Sequence, residues 1–154
     1  MEQAGYQVTR QPFESNFYEE LAPPTVVGTS GFPFTYADGE DISTMDYSGS
    51  GTVTGVVQGV NDNIVPLPVG QPDSTSTQAA RMPTFTGFTG EIALIQRGTC
   101  FFSDKIANAV EAGADAVIIF NEGNSEERSG VDFGQASFPQ DVPVIEMSAE
   151  AVRR

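Results

Sequence analysis

The 154-residue chain carries 21 acidic residues and one cysteine but no histidine, and this restricts the chemistry open to it. A catalytic zinc site draws on histidine and carboxylate ligands, and a serine nucleophile needs an adjacent base. With no histidine, neither a histidine-built zinc site nor a serine–histidine pair can form within this chain. Among so many carboxylates, chance pairs are expected, so neighbouring acids alone do not mark acid–base catalysis. Asp38-Gly39-Glu40-Asp41 and Asn61-Asp62-Asn63 offer the oxygen ligands calcium takes, but neither has the spacing of a calcium loop, and a plain solvated turn is the competing reading. Gly49 and Gly51 lack the lysine and following helix of a phosphate loop. Cys100 can form no disulfide within the chain. It is either a buried, inert thiol or a reactive one, with Arg97 and Lys105 the nearby cations. Arg97 is open to two readings: a ligand contact, or a guanidinium tying down carbonyls of its own turn.

Arg97, Cys100 and Lys105 fall in the most structured stretch of the sequence. Ile92–Ile95 and Ala116–Phe120 are apolar runs of strand length, and one short helix lies between them. A connection of this length predicts parallel strands and a right-handed crossover. Ser103 stands where an N-cap is expected, Asp104 suits the first turn, and Gly113 the stop. Phe102, Ile106 and Val110 form an apolar stripe, and Ala107, Ala109 and Ala112 keep the helix slim. Arg97-Gly98-Thr99 then turns the chain from strand to helix. With Phe102 on the stripe, Phe101 points elsewhere, either to the surface or into another part of the core.

Around this unit the pattern is mainly β. Residues 6–13 alternate and read as a strand that Pro12 confines to an edge or an end. Residues 14–24, aromatic and acidic and closed by Pro23-Pro24, read as a surface crossing. Thr25–Val27, Ile42–Tyr47, Thr52–Val60 and Val142–Met147 read as further strands, with a turn at Asp38–Asp41 and strand glycines Gly55 and Gly59 that suit a curled sheet. Residues 61–83 and 123–141 read as long loops, and Phe85 and Phe88 as packing on the sheet. The opening Met-Glu-Gln-Ala-Gly reads as the tail of a helix and Ser148 as the cap of one just begun, so the chain is expected to be a piece of a larger protein.

A net charge of −14 makes nucleic acid and anionic membrane surfaces poor partners. No apolar run reaches transmembrane length, and nothing at the start resembles a secretory signal. The length suffices for one domain with a core and a short extension.

Ile92-Ala93-Leu94-Ile95, Arg97-Gly98-Thr99-Cys100-Phe101-Phe102, Lys105, Asn108-Ala109, Ala112-Gly113-Ala114 and Ala116-Val117-Ile118-Ile119-Phe120-Asn121 resemble the protease-associated domain, a non-catalytic module of secreted peptidases and sorting receptors. Gly5–Phe13, Phe17-Tyr18-Glu19-Glu20 and Tyr47–Thr54 are similar to a lineage of secreted zinc aminopeptidases that carry this domain as an insert in an M28-type catalytic domain. The resemblance implies an α+β, mainly β fold of the swivelling β/β/α type: a curled or open barrel-like sheet with flanking helices and one parallel β-α-β crossover. It implies that residues 1–24 are an N-terminal extension belonging to the parent's catalytic sheet, and that 25–154 form the module. The module itself would be non-catalytic and bind no metal, with zinc held in the parent's catalytic domain. Its partners would be that domain and peptide or protein substrate, at a surface formed by Arg97, Thr99, Phe101, Asn121 and Glu122, with residues 61–83 part of a lid. A structural brace or dimerisation module without substrate contact is the alternative. The protein is expected to be extracellular, with its signal peptide outside this chain. In the family, position 100 is often cysteine, sometimes paired with a cysteine upstream; Ser74–Ala80 offers none here.

Overall fold

A computed structural model describes residues 2–29, 33–60, 88–89, 91–98, 101–131, 134–136 and 140–154. Strands β1 (Val27–Gly28) and β2 (Phe34–Thr35) form a small antiparallel ribbon. The main sheet contains β3 (Ile42–Thr44), β4 (Val57–Gly59), β5 (Ile92–Gln96), β6 (Ala116–Phe120) and β7 (Val144–Met147), in the order β3-β7-β6-β5-β4. β4, β5, β6 and β7 run parallel, and β3 closes one edge antiparallel to β7. Helix α1 (Phe102–Glu111) connects β5 to β6.

The apolar runs of β5 and β6 are continuous because both faces of these strands are covered. Ala93, Ile95, Val117, Ile119 and Val144 pack on one side with Ile106 and Ala109 of α1 and with Met45. Leu94, Ile118, Phe120 and Met147 pack on the other with Ile42 and Ala151. The two-residue period of the strands sorts the side chains between the two clusters. At its carboxyl end α1 closes in a full Schellman motif: Gly113 N–H donates to the Val110 carbonyl and Ala114 N–H to that of Ala109, both at 3.0 Å, with Gly113 at φ +103°.

Several expectations are corrected. Residues 6–13 form no strand; among the described residues, none of 6–25 takes part in a hydrogen bond. Thr25–Val27 gives way to β1 at Val27–Gly28. The run 52–60 narrows to β4, and β3 and β4 lie on opposite edges of the sheet. Gly55 is pressed on the Glu91 side chain, whose carboxylate accepts Val56 N–H at 2.7 Å, and the Val56 carbonyl accepts Ile92 N–H at 3.2 Å just before β4 begins.

Ser103 does not cap α1. Phe101 takes the N-cap position with extended backbone and no side-chain cap bond, because the helix starts at Phe102, whose half-buried ring packs under Gly134. The buried face of α1 is Lys105, Ile106 and Ala109; Val110 and Ala107 are exposed, so the stripe is rotated from the expected one. Among the described residues α1 is the one α-helix, and the end of the chain forms a 3₁₀ turn at Ala151–Arg153. Ser148 does act there, its hydroxyl oxygen accepting Ala151 N–H at 3.1 Å. Phe88 packs on the helix-side cluster. Cys100 and all of residues 61–87, with Asn61-Asp62-Asn63, the expected loop 61–83 and Phe85, lie outside the described residues.

Candidate functional site

Parallel strands gather their following turns at one edge of a sheet, where ligands of such sheets bind. Here the edge is built from Arg97 after β5, Asn121-Glu122 after β6, and Glu146 near the end of β7. Arg97 N–H donates to the Phe120 carbonyl at 2.8 Å and Asn121 N–H to that of Met147 at 2.9 Å, so the ladder extends one residue past both strands. Beyond that point the side chains take over. The Arg97 guanidinium donates to Asn121 Oδ1 at 3.3 Å, and the same oxygen accepts Glu122 N–H at 3.1 Å. Asn121 Nδ2 donates to the Gly130 carbonyl at 2.8 Å, which draws the 123–131 loop over the strand ends.

Glu122 is fully buried. One of its oxygens accepts from the Arg128 guanidinium, and the other, Oε1, has no hydrogen-bond partner among the described residues. Arg128 stands on the 3₁₀ turn Glu126–Arg128, and Gly123 N–H closes that turn on the Arg128 carbonyl at 2.6 Å. Burial lowers the Arg97 pKa from its ordinary value, and the like charge of Arg128 lowers it further, against the opposing carboxylates of Glu122 and Glu146. Arginine stays charged through such shifts. The result is a compensated group of two guanidiniums and two carboxylates around Asn121.

Of the five residues singled out by sequence, Arg97, Asn121 and Glu122 meet in this group. Arg97 is half-buried, while Asn121 and Glu122 lie behind the surface, so they can act on a partner only through Arg97 or the loop they hold. Arg97 thus contacts a side chain of the neighbouring strand end. Phe101 projects into solvent, 74% exposed, while Phe102 turns inward. Thr99 lies outside the described residues.

Sequence reading missed Arg128 and Glu146 as members of this region, and had Lys105 only as a cation near Cys100. Lys105 is fully buried on α1, its ammonium donating to the Gln96 carbonyl at 2.6 Å and so fastening the helix to the end of β5. A charge inside an apolar pattern was the available signal for Lys105 and for Glu146 in Val144–Met147; Arg128, in a polar loop, gave none. At the acidic turn, Asp41 Oδ2 accepts Ala37 N–H and an Arg154 guanidinium N–H, both at 3.0 Å, so this carboxylate closes the turn and pairs with the chain end. Among the described residues no three of His, Cys, Asp and Glu gather closely enough to hold a metal ion, and no helix is long and apolar enough to cross a membrane.

Comparison with known proteins gives the family. The PA domain model matches residues 53–154, a stretch that contains β4 to β7, α1 and the whole strand-end group. The chain belongs to the PA domain family. Over 149 residues, 94% of this chain, it is 38% identical to an aminopeptidase of Pseudomonas aeruginosa, of which the match covers 26%. Shorter stretches are 45% identical over 51 residues to the E3 ubiquitin-protein ligase RNF149 of Xenopus laevis and 59% identical over 34 residues to RING finger protein 150 of Danio rerio, covering 33% and 22% of this chain and 13% and 8% of those proteins. The chain spans about a quarter of the length of the aminopeptidases it matches.

Proposed function

We propose that this chain is the non-catalytic PA module of a secreted, zinc-dependent aminopeptidase, and that it gates or recruits peptide and protein substrate for the neighbouring active site. The family match and the aminopeptidase relative that spans nearly the whole chain support this reading. Zinc would be held by the parent's catalytic domain, since this chain has no histidine to offer it. Residues 1–24 would belong to that domain and 25–154 to the module, whose sheet would curl toward a barrel around a right-handed β5-α1-β6 crossover.

The observation that carries the contact surface is Phe101. A large aromatic stands 74% exposed at the start of a helix that Lys105 fastens to the sheet, four residues after the half-buried Arg97. An apolar anchor beside a cation suits an extended polypeptide with backbone carbonyls or acidic side chains. Thr99 is a further candidate contact by its place in the sequence, and Asn121 and Glu122 hold Arg97 in place rather than touching substrate. The apolar residues exposed in the first 24 positions favour a second reading, a bracing role against the catalytic domain.

The test compares the full-length parent with Phe101→Ser and with a form in which residues 25–150 are replaced by a linker. On a dipeptide-sized chromogenic substrate Phe101→Ser keeps its turnover. On a long polypeptide kcat/KM falls about tenfold, the ~1.4 kcal/mol of a modest anchor. Equal loss on both substrates together with lost stability, in the linker form above all, would establish the brace instead.

A further inference from the structure

Half of the large hydrophobic residues exposed among the described residues, five of ten, lie in positions 6–21. Phe13, Phe17 and Leu21 are 84–86% exposed and together present on the order of 500 Å² of apolar surface. They recur every four residues. On a helix they would span one narrow stripe, with Glu14 on one flank, Glu20 on the other and Glu19 behind. The ends of the segment suit a helix as well: Pro12 fits the first position, Glu14 the positive end of the dipole, and Pro23-Pro24 the stop. In this chain the segment is irregular, and among the described residues its backbone has no hydrogen-bond partner. That is the behaviour expected of about eleven residues in water with nothing to cover their apolar side.

We infer that residues 12–22 fold into an amphipathic helix when they dock, through Phe13, Phe17 and Leu21, into an apolar groove rimmed by basic residues on the remainder of the same polypeptide. The inference rests on the reading of the chain as a module of a larger protein. Two observations select that occupant. The match to the aminopeptidases covers 94% of the chain and so must include most of residues 1–52, whereas the PA domain model begins at residue 53. About three quarters of the relatives' length lies outside the match and can supply the groove. Acids on both flanks of the stripe call for cations on the groove's rim. Tyr18 falls outside the stripe and already rests on Tyr47, ring centroids 5.8 Å apart, which leaves the segment tethered to this domain while Phe13, Phe17 and Leu21 face away.

Amide hydrogen exchange, which needs no catalytic activity, tests this in the full-length polypeptide and in this chain alone. Residues 14–22 are expected to exchange at least about 100-fold more slowly in the full-length protein than in the chain alone. Leu21→Ser paired with Phe17→Ser abolishes that protection and leaves β5, β6 and β7 protected. Glu19→Pro, on the far side of the stripe, abolishes it equally, and Glu19→Ala does not. Protection that survives Glu19→Pro overturns the helix in favour of an extended strap. Absent protection, or protection that appears in the chain alone as its concentration and dimer fraction rise, overturns the groove. A full-length protein that shows the protection but hydrolyses no peptide would refute the proposed function and leave this inference standing.

Discussion

Arg128→Ala should destabilise the domain far more than its exposed position suggests. The partner, Glu122, is fully buried, whereas the Arg128 side chain is 40% exposed. Glu122 Oε1 has no hydrogen-bond partner among the described residues, so the Arg128 contact carries much of the compensation for this charge. Removing one member of a buried pair costs about 3–5 kcal/mol, and the solvent-facing side of this pair together with the nearby Arg97 brings the expectation to about 2–3 kcal/mol. Glu122→Gln keeps an acceptor for Arg128 and leaves no buried charge, so its cost is about 1 kcal/mol. The double variant should resemble Glu122→Gln alone, with a coupling energy of about 2–3 kcal/mol. Chemical denaturation of the four proteins measures this, and in a domain of this size each kcal/mol moves Tm by about 2–4 °C. If Arg128→Ala costs less than Glu122→Gln, or if the two effects simply add, the buried charge is compensated elsewhere and the reasoning about the strand-end group fails.

Three further outcomes are expected. Lys105→Ala removes a buried four-carbon stem and the donor to the Gln96 carbonyl and should cost about 3–5 kcal/mol, with Lys105→Met recovering about 2 kcal/mol of it, by denaturant titration; equal losses would refute a packing role for the stem. Gly113→Ala meets no atom within 4 Å but must hold φ +103°, so it should cost about 1–2 kcal/mol through the backbone alone, and an unchanged Tm would contradict the Schellman closure. The Val56 N–H bond lowers the Glu91 carboxyl pKa below the ordinary carboxylate value; a depressed acid stabilises the fold above its unfolded pKa and loses that contribution as pH falls through the folded one. Protection of Val56 N–H relative to its intrinsic exchange rate should therefore fall in acid as the carboxyl takes up its proton in the native chain, and show no such pH step in Glu91→Gln, as followed by NMR.

The amino-acid sequence alone was enough to locate β5, α1 and β6, because the evidence for them is local. Two short apolar runs, a glycine able to take φ +103° and an acid in the first turn each act within a few residues. It was also enough to exclude histidine-based chemistry and to carry the family resemblance, which depends on residue types and spacing between 92 and 121. Residues 6–13 show where local evidence stops: alternation states what a strand could bury, but a strand also needs an edge to pair with, and among the described residues these make no ladder bond.

Which charges meet was decided by the tertiary structure. Arg97, Glu122, Arg128 and Glu146 come from three strand ends and a loop, and only the parallel register of β5, β6 and β7 brings them together. The same register buries Asn121 and Glu122 while Phe101, next to a helix whose start is set by the packing of Phe102, is left in solvent. Burial depends on what lies above a residue in space, and a linear pattern holds that information only where the period of a single element repeats it.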